Sequence, residues 1–321
     1  MRARVPAIEG IGPDSCLGAL GSAAPGHSLR DLARAVKGRS KYFQRELKRC
    51  QRKFSEKAIH KSRVEARRLL SSLDLVGSLI SARHLAKAQQ ALKRHLDNFD
   101  DLRDTQVQLQ TVGKLLRLFP AARPFREFLL KREKRFRRKT RKRVARLRRR
   151  RLGRLIAICR DDLRAHLDDH PPKRAAEVLL RAVDRAFNRT KRRWRRIGPE
   201  QVRAIHRTRV AFKRFRYMVE ALADFLPGVT DEPLTAMGHY QTMMGEIQDA
   251  DVLLRTLDKF LRKQDTQKEA ARRFRQELLR RRQWLIQVYL DAAKQLLEFW
   301  PLPECRAALA PTAREPFARV P

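Results

Sequence analysis

His60, Arg63 and Arg67 follow one another at intervals of three and four residues, and His206, Arg209 and Lys213 repeat the same intervals. Arginine can hold two oxygens of a phosphate or carboxylate at once, and lysine acts as a movable point charge. Histidine adds a donor whose charge depends on pH. The chemistry these residue types can do together is the binding of an anion. On a helix each residue turns by about 100°, so each triplet lines up as one stripe. The stripe runs along about 10 Å of helix axis, which suits an extended anion better than a single phosphate.

Both triplets lie in a twelve-residue stretch that occurs twice. The first copy is Ile59-His60-Lys61-Ser62-Arg63-Val64-Glu65-Ala66-Arg67-Arg68-Leu69-Leu70. The second is Ile205-His206-Arg207-Thr208-Arg209-Val210-Ala211-Phe212-Lys213-Arg214-Phe215-Arg216, displaced by 146 residues. Lys61 and Arg68 flank the first stripe, and Arg207 and Arg214 flank the second. Ile59, Ala66, Leu69, Leu70 and Leu73 fall on another face, matched by Ile205, Phe212, Phe215, Val219 and Leu222. Each helix therefore has a side for a core and a side that presents cations. One such helix alone usually means a solvated basic surface; repetition of the whole pattern at one offset favours a binding face and points to duplicated structural units.

The elements around the stripes read as helices throughout, because β-branched alternation is nowhere sustained. Residues 1–27 are rich in glycine and read as a flexible tail. Ser28 is placed to cap a helix through Leu32, Val36, Phe43 and Leu47. The first motif helix follows, to about Leu79, and another runs from about Ser81 to Leu118. Pro120 and Pro124 mark a turn before a long helix to about Asp169. After Pro171-Pro172 the order returns: a helix through Leu179, Val183 and Phe187, a break at Gly198-Pro199, and the second motif helix to Pro227-Gly228. A helix from Glu232 to about Lys263 and one from about Thr266 to Trp300 complete the second half, followed by a proline-rich tail. The fold class expected is all-α, with two tandem four-helix units at 28–170 and 171–300 and tails at 1–27 and 301–321.

Composition narrows the partner. The chain has 321 residues, 75 Lys+Arg against 35 Asp+Glu, and a formal net charge of +40. Such self-repulsion implies a polyanion: nucleic acid, an anionic membrane surface or a phosphate polymer. A hydrophobic content of 42% is enough for a packed core. The four cysteines, Cys16, Cys50, Cys159 and Cys305, have no CxxC spacing, which suggests a reducing compartment and no cysteine metal site. No apolar run has the length of a membrane span and no signal peptide is recognisable, so a cytoplasmic location is expected.

Other signals carry less. Residues 131–154 hold sixteen Lys/Arg and one acid, Glu133. That run could be a second patch for a phosphate polymer, DNA or RNA, and non-specific nucleic-acid binding is one reading of so basic a chain. Asp162, His166 and His170 have helical spacing for metal ligands but no fourth ligand, and no metal or other cofactor is expected. No nucleophile with its base and no phosphate-cradling glycine loop is visible, so no catalytic residue is assigned and the chain is not expected to be an enzyme.

The paired His-x-x-Arg-Val helices are each followed by an acidic segment. These are Asp101-Leu102-Arg103-Asp104-Thr105 and Glu246-Ile247-Gln248-Asp249-Ala250-Asp251, at an offset of 145. Over residues 28–300 the chain resembles the CHAD domain, the conserved-histidine α-helical domain. The resemblance implies two four-helix bundles related by a pseudo-two-fold axis, with a basic channel that binds inorganic polyphosphate, in some members at polyphosphate granules. Carried over by position, the polyphosphate-binding residues would be His60, Lys61, Arg63, Arg67, Arg68, His206, Arg207, Arg209, Lys213 and Arg214. Asp101, Asp104, Glu246 and Asp249 are poor ligands for an anion; they are expected to pair with the arginines and hold them extended. No acidic, strand-rich segment of a triphosphate-tunnel catalytic domain is present.

Overall fold

The computed structural model of the chain describes residues 31–198, 202–225, 229–262 and 268–301. Ser28, both tails, Pro199, Pro227-Gly228 and Thr266 lie outside the described residues. Every regular element among those described is helical. In chain order the α-helices are α1 (Leu32–Lys53), α2 (Glu56–Leu79), α3 (Arg83–Asp97), α4 (Asp100–Leu115), α5 (Arg123–Ala145), α6 (Arg149–Asp169), α7 (Pro172–Trp194), α8 (Val202–Ala221), α9 (Asp231–Leu261) and α10 (Lys268–Ala292). Short 3-10 turns lie at Pro120–Ala122, Ala223–Phe225 and Ala293–Glu298.

A tight reversal sets the first stripe in place. α1 ends at Phe54, a buried aromatic in the left-handed region at φ 44, whose N–H donates to the Cys50 carbonyl. That backbone conformation costs about 1 kcal/mol for a residue with a Cβ, and burial of the ring offsets it. Ser55 follows as the cap of α2, accepting from the Ala58 N–H at 3.3 Å, which satisfies one of the N–H groups that the first turn leaves without a helical partner.

Two of the expected long helices are each interrupted. The helix expected over 81–118 ends at Asp97 and resumes at Asp100 as α4. At the break the Asn98 carbonyl, freed from the helical ladder, accepts from Thr140 Oγ1 at 3.0 Å. The helix expected to reach Asp169 breaks between Ala145 and Arg149. There the Gln51 side-chain amide donates to the carbonyls of Val144 and Leu147, at 3.0 and 3.2 Å. Both breaks are held by partners far away in sequence, which give the Asn98 and Leu147 carbonyls a donor in place of the helical one.

The helices α1, α2, α3 and α6 form a ring, each packed on its two neighbours. In the second half α7 packs on α8, α8 on α9 and α9 on α10. The two motif helices, α2 and α8, pack directly on one another and join the halves. One continuous core contains Ile59, Ala66, Leu69 and Leu73 of α2 with Ile205, Phe212, Phe215 and Val219 of α8, the residues expected to face inward. Phe212 and Phe215 are fully buried, each worth about 2–3 kcal/mol of removed apolar surface. A separate small core of Val112, Phe125 and Leu129 with Leu253, Leu257, Phe274 and Leu278 joins α4 and α5 to α9 and α10. The halves therefore touch at two places, with α4 facing α9 between them.

Candidate anion-binding site

Between these two contacts lies a cavity of about 790 Å3, walled by α2 and α8 on one side and by α4 and α9 on the other. His60, Arg63 and Arg67 of α2 and His206, Arg209 and Lys213 of α8 all line it, so the two stripes converge on one space. Asp104 of α4 and Glu246 and Asp249 of α9 line the opposite wall.

Four of the expected residues and one expected partner lie elsewhere. Arg68 and Arg214 turn away from the cavity into the contact between the motif helices. Arg68 Nε lies 2.6 Å from Glu220 Oε1, and Arg214 Nε lies 2.8 Å from Asp74 Oδ2. Arg68 also donates to Glu65 at 2.9 Å. The Arg68–Glu220 contact is a charge contact without an aligned hydrogen bond from Nε. Lys61 is half-buried outside the lining, and exposed Arg207 lines a neighbouring cavity instead. Asp101 is exposed and holds no arginine in the cavity. The physical reason is the helical turn: each of these cations sits one residue from the stripe, about 100° round the axis.

The carboxylate that does hold an arginine is Asp100, which the repeat does not reveal. Arg63 is 7% exposed and its Nη2 donates to Asp100 Oδ1 at 3.3 Å, while its Cζ stands 5.9 Å from the Phe99 ring. At the offset of 145 the counterpart of Asp100 is Gly245, and there the Arg209 guanidinium lies against bare backbone, within 3.4 Å of where a Cβ would be. The Nε of Arg209 is buried without a hydrogen-bond partner, as is Nδ1 of His206. Another histidine, His95, was given no role by the sequence. It is buried at 1% exposure, 3.0 Å from Ser62 Oγ, edge-on to Phe43 and Phe99. It fixes the hydroxyl of the motif rather than facing the cavity.

The cavity is less basic than the net charge suggests. Among the described residues its lining holds Lys57, Arg63, Arg67, Arg103, Arg209 and Lys213 against Glu56, Asp100, Asp104, Glu246 and Asp249. Cations packed this closely away from bulk water need nearby carboxylates. Burial, followed by Arg67, Arg209 and Arg63, pushes Lys213 down to about 6, with Asp100 opposing. Burial also lowers His60, helped by Arg103, Arg67 and Arg63, and lowers His206, helped by Arg209 and Arg255. Asp104 is open to the cavity but ringed by protein; burial, Asp100 and Asp249 raise it to about 6. Arg63, lowered to about 10 chiefly by burial, keeps its charge at neutral pH. Burial thus favours the uncharged forms of Lys213 and the histidines, and an anion entering the cavity would favour the charged ones.

Asp162, the third of the possible metal ligands, is exposed, while the rings of His166 and His170 stack at 4.1 Å and His170 Nδ1 lies 2.9 Å from the His166 carbonyl. No helix among the described residues is long and apolar enough to cross a membrane.

A family model described as CHAD domain matches residues 34–258, and the chain belongs to that family. Two solved structures share its fold. One is the crystal structure of the CHAD domain from the plant Ricinus communis, at 20% identity and a TM-score of 0.62, covering 87% of this chain and 92% of that one. The other is PptA from Streptomyces chartreusis, at 16% identity and a TM-score of 0.57, covering 83% of this chain and 98% of that one. No curated protein sequence matches the chain.

Proposed function

We propose that the chain binds inorganic polyphosphate, without catalysing a reaction on it, in the cavity between α2, α8, α4 and α9. The observation that carries this reading is the convergence of His60, Arg63 and Arg67 with His206, Arg209 and Lys213 on one space. Two stripes, each about 10 Å long, offer a row of donors to a row of phosphates, where a single phosphate would use only part of either. Membership of the CHAD family supports the ligand class.

The same reading makes residues 28–170 and 171–300 two four-helix units related by a pseudo-two-fold axis through the α2–α8 contact. Near such an axis a residue meets its own counterpart, and a pair is matched by its reciprocal. Arg67 is the largest charge acting on its counterpart Lys213, and Asp249 acts on its counterpart Asp104. The Arg68–Glu220 and Arg214–Asp74 pairs are reciprocal at the offset of 146. In this account the extra break in each long helix of the first half leaves α3 with α4 equivalent to α9, and α5 with α6 equivalent to α10.

One observation favours nucleic acid instead. A groove between α5 and α9 is lined by Phe128 and Phe260 with Lys131, Arg132, Arg135, Lys259 and Arg262, and with no carboxylate. Cations beside aromatic rings, here half-buried ones packed on each other, are a surface for single strands. Competition between long-chain polyphosphate and DNA, single- and double-stranded, at physiological salt separates the readings. Polyphosphate that displaces DNA at stoichiometric concentration supports the proposal, and DNA that displaces polyphosphate sinks it. A cytoplasmic location, with recruitment to polyphosphate granules, follows from the same proposal and is read from a fluorescent fusion in cells with and without granules.

A further inference from the structure

We infer that a polyphosphate chain too long for the cavity leaves it through one mouth, on the α8–α9 side, and that the arginines there set a preference for long chains. The inference rests on the polyphosphate reading and adds a direction to it. A second cavity, of about 940 Å3, adjoins the first at His206 and Gln248, which line both. It is bounded by Arg203, Arg207, Arg255 and Arg282, with Asp251 as its one carboxylate. Arg203, Arg207 and Arg255 are exposed. Asp251 lies 3.0 Å from Arg255 and 3.1 Å from Arg282, so it orients two of the four; Arg203 and the terminal nitrogens of Arg207, whose Nε donates to the Arg203 carbonyl at 3.4 Å, are left for a ligand.

The duplication lets the other mouth be read at matched positions, and its chemistry differs. Lys57 stands at the position of Arg203, and Glu56 at that of Val202. In the acidic segment Gln106 stands at the position of Asp251, and Gln110 at that of Arg255. The contact between neighbouring helices is reversed as well. Gln106 donates to Glu133 of α5 at 3.4 Å, where Asp251 accepts from Arg282 of α10 at 3.1 Å. One end of the binding space therefore presents Lys57 beside Glu56, amides and a carboxylate shared with Arg137, and the other presents four arginines against one carboxylate. A chain of like charges is held further by the second than by the first.

The test compares equivalent pairs: Arg203→Gln with Arg207→Gln, and Lys57→Gln with Lys61→Gln. Affinities for polyphosphate of several hundred units and for tripolyphosphate are measured by titration calorimetry over a range of salt, with helicity checked by circular dichroism. The ratio of long-chain to tripolyphosphate affinity should fall about tenfold for the 203/207 pair and by less than about threefold for the 57/61 pair. The 203/207 pair should also reduce the salt slope for the long chain by about 1.4, two lost contacts at about 0.7 each. Equal falls for the two pairs, or an unchanged ratio for the 203/207 pair, overturn the inference while leaving polyphosphate binding intact. Failure of the parent to bind either probe overturns the functional reading itself.

Discussion

Arg68 of α2 reaches Glu220 of α8 at 2.6 Å, and the residues at their repeated positions, Arg214 and Asp74, meet at 2.8 Å in the opposite sense. One pair runs from the first half to the second and the other runs back, so the motif helices are bound by the same contact twice. With Arg68 35% exposed and Arg214 47% exposed, water screens both pairs, and neither should reach the several kcal/mol of a fully buried one. Double-mutant cycles to alanine, read from urea unfolding, should give a coupling of about 0.5–1.5 kcal/mol for each pair. The less exposed Arg68–Glu220 pair should be the stronger. A coupling at one pair and none at the other would contradict a symmetric interface.

Ligand binding should take up protons. In the free protein Lys213 is pushed down to about 6, and His60 and His206 are lowered, all chiefly by burial. A bound anion favours the charged form of each, and it also raises Asp104, already at about 6. All four shifts have one sign, so affinity should rise as pH falls from about 8 to about 6. Below that range Lys213 is charged in both states and its contribution levels off. Calorimetry in buffers of different ionisation enthalpy, with long chains that have few titrating ends, should show uptake near pH 7.5. Lys213→Gln should take up fewer protons than the parent; equal uptake would remove Lys213 from the site.

The stripes were legible because a 3.6-residue period places charge and core on separate faces whatever the tertiary context. The all-helical class and the inward-facing residues of α2 and α8 followed from the same period. Neither helix break could be read, since no Gly or Pro stands at residues 98–99 or 146–148. Those breaks depend on Thr140 and Gln51, partners that only the folded chain brings near. Asp100 escaped because its repeated position is Gly245, so the comparison of copies pointed one residue on, to Asp101. Arg68 and Arg214 were read with the stripe because their partners, Glu220 and Asp74, lie in the other half. The near balance of charge in the cavity was hidden by a net charge of +40 that is mostly on the outside.

His95 should make the fold sensitive to acid. Burial and Arg63 hold its pKa at about 3, against an ordinary value near 6.5. Its neutral form is therefore the one the fold keeps, and the stability is present above pH 6.5 and lost as pH falls toward 3. The loss should approach about 1.4 kcal/mol per pH unit between pH 6 and pH 4. Asp104 works the other way, so the readout is the difference between parent and His95→Gln in urea unfolding at pH 7 and pH 4.5. The variant should be less stable at pH 7 and lose less on acidification. Parallel losses in the two proteins would mean that His95 is not the group being protonated.

Charge reversal inside and outside the cavity tests the central claim most directly. Arg67→Glu with Lys213→Glu alters the facing pair in the cavity, and Arg138→Glu with Lys139→Glu makes the same change in formal charge on exposed residues of α5. Titration with long-chain polyphosphate at physiological salt should show a loss of about 100-fold for the cavity pair and less than about threefold for the α5 pair, at equal helicity. Equal losses, or a greater loss from the α5 pair, would contradict a site in the cavity and make binding a property of the basic surface.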